Sequence, residues 1–166
     1  MKRAFWRLLA LAALAALGFW GWQLLHPSPE ALIRKRMQEV AKLASVTPEE
    51  AQFARLAKAQ KLTSFLTSDV EITVELPGHS RQTWSGIDEV REAVIGAESG
   101  IHALRVEFPG IEVTVGPDRR TAFVSLTAEG TVPGERDINL QELKVSLKKT
   151  DNEWFIKKVE TVKSLR

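Results

Sequence analysis

The chain has 166 residues, of which 44% are hydrophobic and 27% charged, a composition typical of one globular domain with an appendage. Lys2, Arg3 and Arg7 are the only charged residues before Glu30, and without these 3 the 23 basic residues of the chain become 20, against 21 acidic ones. A domain so close to neutral has no net field to attract nucleic acid. The chain contains no cysteine, which excludes disulfides, thiolate chemistry and cysteine-ligated zinc.

The first segment, residues 1–26, is expected to be a membrane anchor or an uncleaved signal. After a short basic start, Leu8–Leu25 carries no charge and is close to the minimum length for crossing about 30 Å of hydrocarbon. Aromatic residues lie near both ends of this run, with Phe5-Trp6 at the start and Trp20 and Trp22 at the end, as in the interfacial belts of a spanning helix. We therefore expect Leu8–Leu25 to contact the membrane as a single-pass helix.

Cleavage is the alternative fate of this segment. Ala16-Leu17-Gly18 has the small residues of a cleavage site, and cutting there would release a secreted domain. The cut would also leave an aromatic and apolar stretch at a new exposed N-terminus, which favours retention. The basic residues before the run favour a cytoplasmic N-terminus, although a second basic cluster follows in residues 34–42. We expect a location in the bacterial inner membrane, with the domain facing the periplasm or the exterior.

A proline-rich linker, residues 27–30, separates the anchor from a domain expected over residues 31–166. Pro27 and Pro29 disfavour a continuous helix from the membrane into the domain. The next segment, Glu30 to Ala44, has apolar residues at helical spacing and predicts an amphipathic helix. The basic residues of this helix are expected on its solvated side.

A second helix is predicted from Thr47-Pro48-Glu49-Glu50, where threonine caps the helix, proline takes its first position and glutamate follows. The helix is expected to run to about Leu66. Its apolar residues lie on two sides, with Phe53 and Leu56 opposite Leu62 and Leu66. Because a helix that is apolar on two sides is usually packed on both, we expect it to lie between the first helix and a sheet.

The central part of the chain predicts two strands and a third helix. Residues 69–76 alternate apolar and polar side chains, which is typical of a half-buried strand. A turn at Pro77–Ser80 leads to a short strand near residues 82–84. Ser85-Gly86-Ile87-Asp88 then resembles a capping box and is expected to open the third helix.

Four strands in antiparallel succession are predicted after Leu104, separated by turn sequences. The apolar parity changes at Pro109-Gly110 and again at Gln141-Glu142. A shift of this kind indicates a β-bulge, which bends a sheet. The predicted fold class is therefore α+β, a curved antiparallel sheet wrapped around three helices as a cone-shaped barrel, preceded by a single transmembrane helix.

This order of elements resembles the nuclear transport factor 2-like superfamily, whose cone is also called cystatin-like or polyketide-cyclase-like. Three stretches carry the resemblance, "TPEEAQFARLAKAQKLTSFLTSDVEITV", "WSGIDEVREAV" and "QELKVSLKKTDNEWFIKKVETV". It covers about Pro29 to Arg166 and implies the fold. The superfamily includes dehydratases, isomerases, epoxide hydrolases, polyketide cyclases and many non-enzymatic binding domains, so the resemblance leaves the function open.

The resemblance implies that an enzyme of this fold would use acid–base side chains projecting into the cone. The chain has no tyrosine, so an oxyanion site with tyrosine donors is excluded. The candidate catalytic residues are Asp69, at the start of the first predicted strand, Glu142, which interrupts an apolar strand, and His102, near the cone mouth. Gln141 is expected to face a ligand if the second bulge inverts the strand. For Glu142 the alternative is a pairing on the solvent face of the sheet.

Trp84, just before the third helix, is a candidate for stacking on a ligand, with sealing of the core as the alternative. No His, Asp or Glu group has the spacing of a metal site, and no glycine-rich phosphate loop follows a strand. We therefore expect neither a metal nor another cofactor.

These observations predict a membrane-tethered extracytoplasmic domain that binds a protein partner or a small apolar ligand without turning it over. The alternative is a small lyase, isomerase or hydrolase with Glu142 or Asp69 as its base, which requires a deep cavity with a buried carboxylate. A homodimer through the open face of the sheet is compatible with both hypotheses.

Overall fold

Three helices and six strands occur in the part of the chain that the computed structural model describes, residues 27–48, 50–75, 80–134 and 138–162. The elements are α1 (Pro29–Ala44), α2 (Gln52–Thr63), β1 (Leu66–Val74), β2 (Gln82–Ser85), α3 (Ile87–Gly100), β3 (Arg105–Val115), β4 (Thr121–Thr131), β5 (Ile138–Thr150) and β6 (Glu153–Thr161). Their order confirms the predicted one. The expected membrane run Leu8–Leu25 lies outside the described residues, and no helix within them is long and apolar enough to cross a bilayer.

The six strands form one sheet in the order β2-β1-β6-β5-β4-β3. The four strands from β3 to β6 pair antiparallel with their chain neighbours, as predicted. The expectation of a purely antiparallel sheet is wrong at β1 and β6, which run parallel with Ile72 opposite Val159. The β5–β6 hairpin makes β6 antiparallel to β5. On its other side β6 pairs with β1, which runs in the same direction.

The first predicted bulge is confirmed where β3 meets β4. Glu107 pairs with Glu129, but the next pair is Gly110 with Thr127, so β3 carries an extra residue at this point. An inserted residue of this kind bends the strand and increases its twist. The bulge therefore curves the sheet around the helices.

The second predicted bulge, at Gln141-Glu142, is wrong. β5 pairs with β4 residue for residue from Ile138 to Lys148. The irregularity lies instead in β6, where Lys157 is inserted between the partners of Ser146 and Leu147. The apolar parity changes at Gln141-Glu142 for another reason. The apolar residues before this point, Ile138 and Leu140, lie on the exposed face of the sheet, and those after it lie on the buried face.

Helix α1 packs on the sheet through Ile33, Met37 and Ala41, which are buried as predicted. The hydroxyl of Ser28 caps it by accepting a hydrogen bond from the backbone N–H of Ala31 at 3.2 Å. Arg34, Lys35 and Lys42 are exposed as expected, whereas Arg36 is half-buried. Two of these side chains also reach back to the sheet. Arg34 donates to the carbonyl of Ile111, and Arg36 donates to the carbonyl of Trp154. Long arginine side chains can cross the edge of a helix and reach such backbone acceptors.

Helix α2 begins at Gln52 and ends at Thr63, so the predicted start at Thr47 and the predicted end near Leu66 are both wrong. Val46 forms a bridge with Leu104, which holds the preceding chain extended. The helix then has Ala51 as its N-cap, without a side-chain hydrogen bond.

Only one side of α2 is packed, although packing on two sides was expected. Ala59 is 1% exposed, whereas Phe53 is 88% and Leu56 is 54% exposed. Helix α2 lies against α1 and α3 and has no sheet covering its other side among the described residues. The apolar residues on that side therefore lie on the surface.

Helix α3 begins one residue later than a cap at Ser85 implies. Gly86 is the N-cap with φ of 85°, a left-handed conformation that glycine adopts without strain, and its N–H donates to Val70 at 2.7 Å. The carboxylate that returns to the start of the helix belongs to Glu89, which accepts from the N–H of Ser85 at 2.7 Å. Capping by an acidic residue is thus present, but not through Asp88.

The core lies between the helices and the inner face of the sheet. The large side chains with the least exposure come from α1, α3, β1 and β4, and they are Ile33, Met37, Val70, Val90 and Val124. Phe65 and Leu126 are also buried. Among the described residues Thr63 is the one buried polar residue, so this part of the interior is an apolar core.

The packing of α1 on the sheet predicts that alanine substitutions at two neighbouring positions differ in their effect on the free energy of unfolding. Ile33→Ala should lower the free energy of unfolding by about 2–5 kcal/mol, because it removes a fully buried side chain and leaves a cavity. Leu32→Ala should lower the free energy of unfolding by about 1 kcal/mol or less, because Leu32 is 41% exposed. Denaturant unfolding of the full chain in detergent, followed by circular dichroism, measures both. Equal losses would contradict this packing.

Candidate functional site

The strands of the sheet present an inner face to the helices and an outer face away from them. Along β4, Ala122, Val124 and Leu126 are buried, and the residues between them are exposed. The register of β4 with β5 places Lys144 opposite Ser125 and therefore on the outer face. The outer face thus consists of every second residue of the two strands.

An open groove of about 340 Å³ lies on this outer face. Its charged and hydroxyl-bearing side chains come from β3, β4 and β5, and they are Glu112, Ser125, Thr127, Glu142 and Lys144. Cross-strand pairs place Glu112 opposite Ser125 and Gly110 opposite Thr127. Since glycine, serine and threonine have small side chains, they leave room between the larger charged ones.

Large apolar side chains flank the groove at both ends along the strands. Phe123 is 58% exposed and lies two residues from Ser125 on one side. Leu140 is 62% exposed and Ile138 58%, and they precede Glu142 on the other side. Single exposed apolar residues are ordinary on a protein surface, but Ile138 and Leu140 lie two residues apart on the same face, with Phe123 at the other end of the groove, which makes this face a candidate interaction surface.

The charged groups of the groove have no ion pair with each other. Lys144 lies opposite Glu160 on β6, but Glu160 contacts Lys158 at 2.8 Å instead. That hydrogen bond, with Glu71 adding to it, raises the pKa of Lys158. Within the described chain neither Lys144 nor Glu142 has a salt bridge, so both can pair with groups of another molecule.

Glu142, the first predicted catalytic residue, lies in this groove and not in the cone. It shares a face with Ile138 and Leu140 as predicted, but that face is the outer one, so the expectation of an inward carboxylate is wrong. Gln141 is the half-buried neighbour that faces inward. Its side-chain amide donates to the carbonyls of Glu142 at 3.2 Å and Val162 at 3.4 Å, and it thereby holds the end of β6 against β5.

Asp69, the second candidate, is exposed on β1 and lies 3.8 Å from Lys157. The side chain of Thr67 is the first cause that lowers its pKa, and Lys157 and Lys148 lower it further, although the Thr67 hydroxyl forms no hydrogen bond of standard geometry in the structure. A carboxylate with a lowered pKa is a weak base, which is the opposite of what proton abstraction requires. His102, the third candidate, is exposed in the connection between α3 and β3.

The candidates are not brought together. Asp69 contacts Lys157 near the start of β6, whereas the carbonyl of Glu142 accepts from the N–H of Val162 just after its end. Five residues of extended strand separate these two points, which is about 17 Å. The described residues also contain no group of three His, Asp or Glu side chains that could hold a metal ion.

Trp84 lies at the edge of the core. It is half-buried on β2, opposite Ile72 of β1, and packs against the core cluster. This position corresponds to the sealing role given above as the alternative to ligand stacking.

Sequence reasoning missed Phe123, Ser125 and Lys144. A signal for them exists in the sequence of β4, where Phe123 interrupts the polar positions between Ala122 and Val124. A strand that is apolar on one face with a single large aromatic on the other indicates a contact surface on that second face.

The fold is shared with several solved structures. The yeast UBP3-associated protein BRE5 is similar to this chain with a TM-score of 0.63 and 12% identity, over 84% of this chain and 100% of that one. An NTF2-like protein of unknown function from Pseudomonas putida KT2440 gives a TM-score of 0.60 and 9% identity, over 84% and 90%. A protein from Novosphingobium aromaticivorans provisionally named a scytalone dehydratase gives 0.58 and 14%, over 81% and 83%.

Likeness at such low identity shows the fold alone. No protein-family model and no curated protein matches the sequence. The α+β fold is therefore that of the nuclear transport factor 2-like and cystatin-like proteins, which confirms the resemblance in fold. The chain shares this fold both with a protein named for its association with another protein and with one named for an enzyme.

The surroundings of Asp69 give a test of the electrostatics. Its carboxyl should titrate below the ordinary aspartate value, and Thr67→Val should raise that pKa because it removes the largest cause of the shift. A folded-state pKa below the unfolded one adds stability above the unfolded value, and this stability is lost as the pH falls through the folded value. Thr67→Val should therefore reduce the loss of stability in acid.

Carboxyl-carbon NMR titration measures the pKa directly, and thermal unfolding against pH measures the stability. The pKa of Asp118 serves as the control, because hydrogen bonds within its own turn, first from the N–H of Arg120, hold it low. An unchanged Asp69 titration in Thr67→Val would show that the hydroxyl is not the cause.

Proposed function

We propose that the chain is a membrane-tethered extracytoplasmic domain that binds another protein on the outer face of its sheet and does not turn over a substrate. The observation that carries the proposal is the groove on that face, with exposed Phe123 at one end and Leu140 at the other. Large apolar side chains that become buried on contact supply most of the binding energy in protein interfaces. Polar and charged side chains around them set the orientation of the partner.

The described interior gives the second support. A general base needs a pKa near neutral, which a carboxylate acquires when burial desolvates it. The buried side chains of the described residues are apolar except for Thr63, and Glu142, Asp69 and His102 are exposed. A lyase, isomerase or hydrolase with one of these residues as its base therefore has less support than a binding domain.

The comparisons supply a precedent for each function. BRE5, a protein of this fold, is described as UBP3-associated, and a complex of Ubp3 and Bre5 has this fold as one component. The protein provisionally named a scytalone dehydratase is the precedent for an enzyme. For this chain, the open outer-face groove with apolar residues at its ends supports the binding function.

The tether is supported by the sequence before the fold. Leu8–Leu25 is uncharged and flanked by aromatic residues, and the basic start of the chain favours a cytoplasmic N-terminus. Helix α1 begins at Pro29, capped by Ser28. The domain therefore starts within a few residues of the apolar run.

The tether predicts that the full chain stays with the membrane fraction after carbonate extraction at high pH. The chain has no cysteine, so a single cysteine at the exposed position Ser80 reports the side of the membrane. An impermeant maleimide added to spheroplasts should label Ser80→Cys before lysis. A cysteine in place of Lys2 is the control and should be labelled only after lysis. Release by carbonate, or labelling of position 2 first, would overturn the tether or its orientation.

A binding surface on the outer face of the sheet predicts that a partner protein can be cross-linked to residues in the groove. A photoreactive amino acid at Ser125, between the two apolar ends of the groove, should give a discrete adduct in cells. Phe123→Glu or Leu140→Glu should reduce that adduct about tenfold or more, since each places a charge in a contact worth about 1.4 kcal/mol or more.

Phe53→Glu is the matched control, because Phe53 is an even more exposed aromatic and lies on α2 instead of the sheet. An adduct that survives Phe123→Glu and Leu140→Glu but is lost with Phe53→Glu would move the binding surface to α2. An adduct with the mass of two chains would identify the partner as a second copy. Turnover of a substrate that survives both groove substitutions would support the enzyme instead.

A further inference from the structure

One end of the domain is formed by the start of α1, the β3–β4 turn and the β5–β6 turn. We call this the turn end and define it as residues 28–35, 116–120 and 148–153. The N–H of Lys149 donates to the carbonyl of Arg120 at 2.7 Å, which joins the two turns. Arg36 contacts Glu153 at 3.7 Å, which joins the second turn to α1.

The direction of α1 places its start, and not its finish, at this end. Arg34 reaches the carbonyl of Ile111, whereas the hydroxyl of Ser45 accepts from the N–H of Val106 at 3.0 Å. Helix α1 therefore runs antiparallel to β3, whose last residues lead into the β3–β4 turn. Ser28 lies about 9 Å before Arg34 along the helix, level with the end of β3.

The turn end exposes an excess of basic side chains. They are Arg34, Lys35, Arg119, Arg120 and Lys148, all exposed. In the described chain, Lys35, Arg119 and Arg120 have no salt bridge. The carboxylates of the same end are Glu30, Asp118, Asp151 and Glu153.

Two of these carboxylates are already engaged. Asp118 accepts from the N–H groups of Arg120 and Thr121, both at 3.0 Å, and from the Thr121 hydroxyl at 2.8 Å. Glu153 is the partner of Arg36. Asp118 keeps its negative charge, so residues 28–35, 116–120 and 148–153 together have 6 basic residues against 4 carboxylates, a formal excess of 2 positive charges.

The opposite end of the domain is different. There Arg81 contacts Glu75 at 3.1 Å, and Arg105 contacts Glu107 at 2.7 Å. These two arginines are thus paired with carboxylates, whereas Lys42 in the last turn of α1 has no salt bridge within the described chain. Among the described residues, the turn end therefore has more basic side chains without a salt bridge than the opposite end.

The chain before α1 is too short to hold the turn end away from a membrane. Leu25 and Pro29 are four residues apart and separated by at most about 14 Å of extended chain. The headgroup layer extends about 5–8 Å beyond the hydrocarbon on each side of a bilayer. The start of α1 therefore lies within about one Debye length, 8–10 Å, of the lipid phosphates.

We infer that the turn end lies against anionic phospholipid headgroups and fixes the orientation of the domain on the membrane. The inference rests on the proposed tether, which brings this end to the bilayer. Arg119 and Arg120 on one turn, with Lys35 and Lys148 beside it, supply the cations, and lipid phosphates supply the anions. The effect of each cation falls off within a Debye length, so contact requires the short linker that this chain has.

The test uses the full chain reconstituted in vesicles of phosphatidylcholine, with and without added phosphatidylglycerol. The chain has no cysteine, so Thr150→Cys carries a fluorophore at the turn end and Ser80→Cys carries it at the opposite end. Quenching by a headgroup-spin-labelled lipid should be stronger at position 150 than at position 80, and phosphatidylglycerol should increase the difference. Raising the ionic strength from about 0.1 M to about 1 M shortens the Debye length from about 10 Å to about 3 Å, and it should therefore reduce the difference in quenching between the two positions.

Arg119→Asn with Arg120→Gln removes two charges from the turn end. Arg119 has φ of 52°, a conformation that asparagine tolerates well, so the turn is retained. Removing two charges near an anionic surface should lower the equilibrium constant for docking about 30-fold, equivalent to about 2 kcal/mol at 1.4 kcal/mol per factor of ten. Arg81→Gln with Arg105→Gln is the matched control, which removes two charges from the opposite end and should leave quenching at position 150 unchanged.

The inference would be overturned by equal quenching at positions 150 and 80, by quenching that does not depend on phosphatidylglycerol, or by an equal loss of quenching in the control variant. Flotation of the same vesicles separates this failure from failure of the tether. A chain that floats with the vesicles in every variant while position 150 is not quenched keeps the tether and loses the docking, whereas a chain released by salt loses both. Inorganic phosphate should reduce the quenching only as much as another salt of equal ionic strength does, because both act by screening. A larger reduction by phosphate would show that the turn end binds the free ion and would overturn docking on lipid.

Discussion

The side chain of Arg36 ties α1 to the sheet at the point where β6 begins. Its guanidinium donates to the carbonyl of Trp154 and lies 4.9 Å from the ring centre of Phe65. It also contacts Glu153 and lies 5.9 Å from the ring of Phe155. A partly buried guanidinium is acceptable only when acceptors and aromatic faces replace its water. Because these partners come from β6 and from the residue before β1, one side chain fixes α1 against both parallel strands.

This contact determines what lies at each end of the domain. With α1 held by Arg36 at one level and by Ser45 against Val106 at another, its direction relative to β3 is set. The N-terminus of the helix is consequently beside the β3–β4 and β5–β6 turns. Pro27 and Ser28, the described residues before the helix, therefore lie at that end.

Local patterns in the sequence predicted the order of the elements and the bulge at Pro109-Gly110, because both depend on neighbouring residues. The parallel pairing of β1 with β6 is a contact between residues far apart in sequence, and no local pattern encodes it. The face of Glu142 was mistaken because alternation shows which residues share a face, not which face is covered. Ile138 and Leu140 are apolar and exposed, so they gave the wrong side of β5 as the core. Arg36 was mistaken for a similar reason, since helical periodicity does not show how far a long side chain reaches.

The groove and the turn end lie in different directions, and their chemistry makes them compatible. Strands that meet a membrane at their ends keep both faces of the sheet free at the side. A sheet lying flat on its outer face would instead bring the groove against lipid phosphates, and there the two carboxylates of Glu112 and Glu142 outnumber the one lysine, Lys144, and are repelled. The same arrangement would leave Arg119 and Arg120 at the edge of the contact. If the proposed tether holds the domain at a membrane, the distribution of charge favours contact through the turn end, which leaves Phe123, Lys144 and Leu140 accessible at the side.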